Sequence, residues 1–381
     1  MSKHPKVFKN ASLVLAGEVF DGSLTVDDAG LISGIGSPTE VDGHDCEGDY
    51  LLPGLVELHT DHLETHYAPR PKVRWSPVSA VQAHDAQIAC SGITTVFDAL
   101  RVGMDEDADL GYSDMRALAD AIETGQRENR LRADHFIHLR CEVSAPDVLS
   151  AFKVFEDDDS IRLISLMDHT PGQRQFVSMD AYKIYYQGKK GFTDAQMDDF
   201  IRKRQARASS LAPENRKHLS AIAQSRGIAI ASHDDATTAH VDEAISLQTK
   251  IAEFPTTLEA AKASHEAGMA VLMGAPNVVR GGSHSGNISA KALAEAGVLD
   301  VLSSDYVPIS LLQAAFQLAA EVEAIALPQA VAMVTATPAK AIGLQDRGTL
   351  EPGLRADLIQ VKMVGDIPIV RGVWREGKRV A

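Results

Sequence analysis

Cysteine is scarce, with only Cys46, Cys90 and Cys141 in a chain of 381 residues. They are odd in number, far apart and include no CxxC pair. That disfavours a disulfide framework or a cysteine zinc site and points to a reducing compartment. Long apolar runs are missing too. The opening Met1-Ser2-Lys3-His4-Pro5-Lys6 leads into a stretch too short and too interrupted for a secretory signal, and nothing approaches membrane-spanning length. A soluble, cytoplasmic protein that engages no membrane is expected. Positive charge is in deficit, since 37 Lys and Arg face 52 Asp and Glu for a formal charge of −15. This argues against a broad surface for nucleic acid, and an anionic ligand must find a local basic pocket. Internal repeats and low-complexity tracts are absent by inspection. What remains is a globular chain whose 45% apolar content can fill a large core.

Residues 7 to 50 read as short strands between Gly and Asp turns: Ala11 to Leu15, Gly17 to Phe20, Gly22 to Val26 and Leu31 to Ile35. After residue 51 apolar strands alternate with alanine-rich amphipathic segments, the texture of repeated strand-helix units on a parallel sheet. Residues 348 to 381 return to short strands, clearest at Leu358 to Val361 and Ile369 to Trp374. The expected α/β fold is a (β/α)8 TIM-like barrel over 51–344, with a small β-sandwich built from both chain ends, 1–50 and 345–381.

The stretch around which the chain is organised is Leu51-Leu52-Pro53-Gly54-Leu55-Val56-Glu57-Leu58-His59-Thr60-Asp61. A buried strand launched by Pro-Gly ends abruptly in imidazole and carboxylate. Side chains repeat every second residue on a strand, so Glu57, His59 and Asp61 should share a face, with Glu57 placed to hold the His59 tautomer. Imidazole and carboxylate together suit a divalent metal such as zinc.

Eight candidate strands follow the barrel rhythm, near 52 to 59, 93 to 98, 135 to 142, 161 to 168, 228 to 232, 250 to 253, 270 to 273 and 299 to 304. Such barrels carry their chemistry at the carboxyl ends of the strands. The third ends in Cys141-Glu142, the fourth in Asp168-His169, the fifth in Ser232-His233-Asp234-Asp235 and the eighth in Ser303-Ser304-Asp305. Each alone is equally a helix cap or a satisfied loop residue. Together with His59 and Asp61 they form an N/O donor set for one or two divalent ions, which Glu142 could bridge. His138 and Arg140 share the Glu142 face, and substrate contact and structural pairing stand as equal alternatives for them.

Two stretches offer positive charge near those strand ends. Gly274 to Asn287 follows the seventh strand and holds Arg280, Gly281, Gly282, Ser283 and His284. Glycines there would let backbone N–H groups approach a phosphate while Arg280 adds a forked donor. Arg70, Lys72 and Arg74 form a second basic cluster after the first strand, able to grip the far end of a polyphosphate. The interval from His169 to His233 is too long for one barrel unit and holds an insertion, with a basic helical stretch from Ile201 to Arg207 that reads as a solvated face or a lid.

Pro53-Gly54-Leu55-Val56-Glu57-Leu58-His59, followed by His169, His233 and Asp305, resembles the amidohydrolase superfamily along the whole chain. The resemblance implies one or two divalent metal ions, zinc favoured, held by His59, Asp61, Glu142, His169, His233 and Asp305, with Asp305 also the proton acceptor. Asp61 departs from the pattern by replacing the second histidine of a His-x-His pair. Many members bridge their metals with a carboxylated lysine. Here Glu142 is the natural substitute and Lys183 the alternative.

Finer motifs, Met167-Asp168-His169-Thr170-Pro171-Gly172-Gln173 and Met273 through Asn287, resemble the superfamily's diphosphatases of phosphonate catabolism. The implied partner is a small-molecule phosphorylated sugar phosphonate, a ribose 5-triphosphate bearing a 1-phosphonate that is cleaved to the 5-monophosphate and diphosphate. Assembly into a homo-oligomer is left open. Two rivals stand beside this expectation: a hydrolase of cyclic amides or N-acyl amino acids, which needs no phosphate cradle, and a non-catalytic scaffold, whose ligands would be missing.

Overall fold

The computed structural model describes residues 6–103, 110–172, 174, 183, 192–283 and 286–381. Strands β1 (Lys6–Val14), β2 (Val19–Val26), β3 (Ile32–Gly36), β4 (His44–Asp45) and β5 (Tyr50–Pro53) open the chain. Eight barrel strands follow: β6 (Leu55–Thr60), β7 (Ile93–Val102), β8 (Asp134–Glu142), β9 (Ile161–Met167), β10 (Ala229–His233), β11 (Ile251–Glu253), β12 (Ala270–Gly274) and β13 (Val301–Ser303). The chain ends in β14 (Leu358–Val364), β15 (Ile367–Arg375) and β16 (Lys378–Arg379). The terminal strands join into one mixed sheet in the order β16-β15-β14-β5-β1-β2-β3, with β4 beside β1. Its apolar face gathers Phe8, Leu13, Leu24, Ile32, Leu358 and Trp374 into a core of its own.

The expected first barrel strand divides at Gly54, so that Tyr50–Pro53 belongs to the terminal sheet and only Leu55–Thr60 to the barrel. A Cβ at Gly54 would lie 2.2 Å from Thr94 Oγ1. Only glycine allows the chain to cross so closely between the two sheets. Near the N-terminus the expected short strands merge. Gly17 to Phe20 and Gly22 to Val26 are parts of the single strand β2, because β1 pairs antiparallel with both stretches across one register shift between Phe8 and Ala11.

The barrel strands run parallel in sequence order, β6 to β13. The seam between first and last is spanned at its base by the segment at Met333 and Val334, whose carbonyls accept from Leu302 N (3.0 Å) and Val56 N (2.9 Å). At its mouth Asp305 N donates to the His59 carbonyl (3.1 Å), and Asp61 N donates to the Asp305 carbonyl (3.2 Å). Closing the barrel therefore brings the end of the last strand against His59. Val56, Phe97, Leu163, Ile251, Leu272 and Val301 fill the interior below that level. This is the packed centre expected of an eight-stranded barrel.

The insertion carries the helix Asp194–Ser225, which begins at a Thr193 cap and includes the basic stretch Ile201 to Arg207. Arg202 and Lys203 both pair with Asp199 on its exposed side, as a solvated face would. Its later turns pack on the barrel through Leu219 and through Asn215 Nδ2, which donates to the Val143 carbonyl (2.8 Å).

The terminal sheet is tied to the barrel by charge. Asp134, the first residue of β8, meets Arg347 Nη1 (2.8 Å), Arg355 Nη1 (2.8 Å) and Arg375 Nη1 (3.1 Å). Burial works against its ionisation, yet the three guanidinium groups hold its carboxyl below the usual range. Asp134→Ala leaves three partly buried cations with no shared counterion, and the expected loss is on the order of 3 kcal/mol. A denaturant midpoint equal to that of the native chain would refute it.

Candidate metal centre and substrate cavity

At the mouth of the barrel lies a cavity of about 170 Å³. One wall carries His59, His169, His233, Asp234 and Asp305, and the other carries Arg280, Gly282 and Ser283. The rings of His59 and His233 stack with centroids 5.8 Å apart, and His169 stands edge-on to His233, also at 5.8 Å. Phe254 packs its ring against both His59 (5.1 Å) and His233 (5.3 Å), giving the imidazoles an apolar backing.

Proton positions follow from the acceptors behind each ring. His59 Nδ1 donates to Glu253 Oε1 (3.2 Å) and His233 Nδ1 to Glu253 Oε2 (3.0 Å). His169 Nδ1 donates to Glu142 Oε2 (2.6 Å). With the proton on Nδ1, a neutral imidazole keeps a lone pair on Nε2, here in three neighbouring rings. Asp234 adds an oxygen, because its Oδ2 is buried with no hydrogen-bond partner. Ligand atoms of His169, His233 and Asp234 lie within 4.8 Å of one another. Three imidazole lone pairs beside an unpartnered carboxylate oxygen fit a divalent cation, and the lack of thiolate suits a site that keeps a position open for water.

Asp234 (φ 56°) and Asp305 (φ 54°) both leave their strands in the left-handed region. Aspartate tolerates that region better than most side chains. Burial raises the Asp305 carboxyl above its ordinary value; nearby Asp61 adds to this, while His59, Arg140 and His233 oppose it.

Glu253 was not anticipated from the sequence, although it closes the sixth strand as His233 closes the fifth. It is fully buried and accepts from His59, His233 and Ser165 Oγ (2.7 Å). Burial alone would neutralise it, but the imidazoles of His59 and His138 beside it and the hydrogen bonds from His233 and His59 hold it well below the usual carboxylate range. Asp234 was named only as part of a strand-end run. Its signal was adjacency to His233.

Several expected positions differ. Register slips between Glu57 and Thr60, so strict alternation fails there. Leu58 joins the apolar interior, His59 turns to Glu253, and Asp61 lies beyond the strand as the N-cap of helix His62–Tyr67. Glu57 does not hold the His59 ring. It accepts the backbone N–H groups of His59 (2.6 Å) and Ser304 (2.5 Å), clamping the seam, and burial pushes its carboxyl up to about 7.

Asp61 Oδ2 takes Arg140 Nη1 (2.9 Å), and Asp61 is not on the cavity wall. Glu142 is likewise drawn away, bound by His169 and by Ser144 Oγ (2.5 Å), so it orients a ring where a bridging position was expected. The alternative bridge, Lys183, pairs with Asp198 (2.7 Å) and does not line the cavity. His138 is structural, donating Nδ1–H to the Leu58 carbonyl (2.9 Å) beneath His59, and burial pushes it down to about 3.

The glycine loop is also different in kind. N–H groups of Arg280, Gly281 and Gly282 donate to the carbonyls of Pro276 (3.0 Å), Val278 (3.0 Å) and Asn277 (2.8 Å), ending the helix Ala275–Val279. Gly281 (φ 79°) and Gly282 (φ 154°) serve that cap. The N–H groups of Arg280 to Gly282 are therefore not free to cradle a phosphate, and Arg280 brings positive charge to this wall through its side chain. His284 lies outside the described residues. Arg70, Lys72 and Arg74 do not line the cavity, and Arg74 faces Asp114 (3.6 Å) and the Tyr67 ring.

The model of the amidohydrolase family matches residues 80–381. The chain is 48% identical over 376 residues to the alpha-D-ribose 1-methylphosphonate 5-triphosphate diphosphatase of Escherichia coli (strain K12), spanning 98% of this chain and 100% of that one. Among solved structures it is similar to N-acetylglucosamine-6-phosphate deacetylase from Pasteurella multocida, with a TM-score of 0.64, 15% identity and 99% of each chain covered. It is also similar to 5-methylcytosine deaminase from Klebsiella pneumoniae, with a TM-score of 0.66, 15% identity and 98% of each chain covered. At such identities these two structures speak to the fold alone.

Proposed function

The chain belongs to the amidohydrolase family, and we propose that it is a metal-dependent diphosphatase cleaving alpha-D-ribose 1-methylphosphonate 5-triphosphate, or a related ribose 1-phosphonate 5-triphosphate, to the 5-monophosphate and diphosphate. One observation carries this reading: a single cavity faces a wall of imidazole lone pairs and carboxylates with the guanidinium-bearing loop at Arg280. The named relative, nearly half identical along its whole length, supports the substrate. A cytoplasmic setting accords with the unpaired Cys46, Cys90 and Cys141.

His59, His169 and His233 would hold metal through Nε2, with Asp234 and Asp305 supplying oxygens. When bound, one or two divalent ions, zinc favoured by this donor set, would lower the pKa of water from 15.7 toward about 7 and offset charge on phosphate oxygens. Asp305 accepts the proton of the water that attacks phosphorus. Glu253 and Glu142 keep the three rings in the tautomer that faces the cavity. Arg140, steered by Asp61, and Arg280 bind phosphate oxygens from the two sides, where negative charge gathers as the P–O–P bond breaks and diphosphate leaves.

Arg280→Ala tests the substrate class. Removing a charge-assisted partner from phosphate costs about 1.5 to 3 kcal/mol, roughly ten- to a hundredfold in affinity. Diphosphate release is measured against ribose 5-triphosphate concentration, with and without the 1-phosphonate, alongside metal analysis. Metal content should not change. Equal kinetics in both proteins, or hydrolysis of a neutral cyclic amide with no triphosphate turnover, would shift the assignment to an amide hydrolase.

A further inference from the structure

A second group of imidazoles stands apart from the cavity wall, between two helices on the outside of the barrel. His62 and His66 are four residues apart on the helix His62–Tyr67 and so share a face. His84, from the helix Pro77–Cys90, stands against both. Ring centroids are 5.0 Å apart for His62 and His66, 6.1 Å for His62 and His84, and 6.0 Å for His66 and His84. Three imidazoles on one tetrahedral cation, each nitrogen about 2.0 to 2.1 Å from it, would place their centroids roughly 5 Å apart. His62 and His66 already stand at that spacing, while His84 is about 1 Å too far from each, so the two helices must close by that amount for one ion to reach all three rings.

Lone pairs point the same way. His84 is fully buried, and its Nε2 lies 2.7 Å from Asp98 Oδ1, an acceptor, so that nitrogen carries the proton. Nδ1 of His84 is then an unprotonated nitrogen, buried and without a hydrogen-bond partner. Asp98 cannot supply a proton to it, being itself anionic and bound through Oδ2 by His135 Nδ1 (2.7 Å), whose Nε2 reaches Asp85 Oδ1 (3.3 Å). A carboxylate behind one nitrogen and a free lone pair on the other is the usual support of a metal-binding histidine.

His66 Nε2 is likewise buried and unpartnered. His62 Nδ1 faces the Tyr306 carbonyl (3.1 Å) and must hold its proton there, which turns the Nε2 lone pair toward Gln87 Oε1, 3.1 Å away. Rotating the Gln87 amide would satisfy His62 but not both remaining nitrogens. Buried nitrogens left without partners cost free energy that apolar residues at a helix contact would avoid.

We infer that His62, His66 and His84 form a second site for a divalent transition metal of the zinc class, with Gln87 Oε1 or water as the fourth ligand and Asp98 orienting His84. Such an ion pins the short helix that directly follows Asp61 to the helix Pro77–Cys90. Its role is structural, and it does not depend on the reaction proposed above.

The test counts metal and needs no turnover. The full chain is freed of metal by chelator dialysis, then brought to equilibrium with graded free zinc, for the native sequence, His66→Asn and His84→Gln. The native chain should bind one zinc per chain more than either variant, and crystals grown from it should show a zinc anomalous peak among the three imidazoles. Equal zinc stoichiometry in the native chain and a folded His66→Asn variant overturns the site. So does a native crystal with zinc at the cavity but no peak here. Should circular dichroism show both variants unfolded, the anomalous map of the native chain decides alone.

Discussion

Asp305→Asn is expected to lower turnover by about 10²- to 10⁴-fold, the range for loss of a positioned general base, while metal content stays near that of the native chain. The substitution keeps the local fold. Asparagine tolerates the left-handed conformation that Asp305 adopts, and the three backbone bonds there, from Asp305 N to His59 and from Thr60 Oγ1 (2.8 Å) and Asp61 N to the Asp305 carbonyl, involve no carboxylate. An amide oxygen can still face a cation. It cannot take up a proton. Single-turnover rates with metal analysis of both proteins separate the two roles, and near-normal turnover with retained metal would remove Asp305 as proton acceptor.

The second large effect is expected at Glu253, which touches neither the cavity nor the substrate. Its two carboxylate oxygens each accept an imidazole proton, from His59 and from His233. Glu253→Gln leaves one oxygen acceptor and turns an amide N–H₂ toward the other ring. That ring must then present its Nδ1 lone pair to the amide and move its proton to Nε2, toward the cavity, where it can no longer bind metal. Loss of such an orienting carboxylate typically costs about 10- to 100-fold in metal affinity. Zinc affinity measured by competition with a chelator reads this directly. A Gln variant that binds zinc as tightly as the native chain would show that His59 and His233 do not act as ligands through Nε2.

Much of the barrel could be read from the chain because strand-helix alternation is a local pattern. The runs ending at His233, Glu253 and Ser303 are short, largely apolar and bounded by turns, and burial on both faces requires that composition. Errors arose where pairing across the sheet intervened. Alternation placed Glu57, His59 and Asp61 on one face, but the irregular register with β7 let Leu58 and His59 both turn inward and left Glu57 to the seam. The glycines after Arg280 looked like a phosphate loop, yet a helix of five residues uses their N–H groups to close its own carbonyls. Composition could not distinguish the two, since both uses favour glycine for the same conformational reason.

By itself the sequence determined the order of strands and helices, the crowding of imidazole and carboxylate at strand ends, and the family resemblance carried by Pro53 to His59. Those follow from periodicity and residue type along neighbouring positions. Tertiary structure alone decided which of these groups face one another. Glu253 meets His59 across 194 positions and Asp305 reaches the His59 carbonyl only because the last strand closes on the first. Glu142 turns to His169 and Asp61 to Arg140, so those two carboxylates orient other side chains. A carboxylate goes to the donor whose hydrogen bond best offsets its burial, and the ring and guanidinium that these two meet come from distant parts of the chain, 27 and 79 positions away.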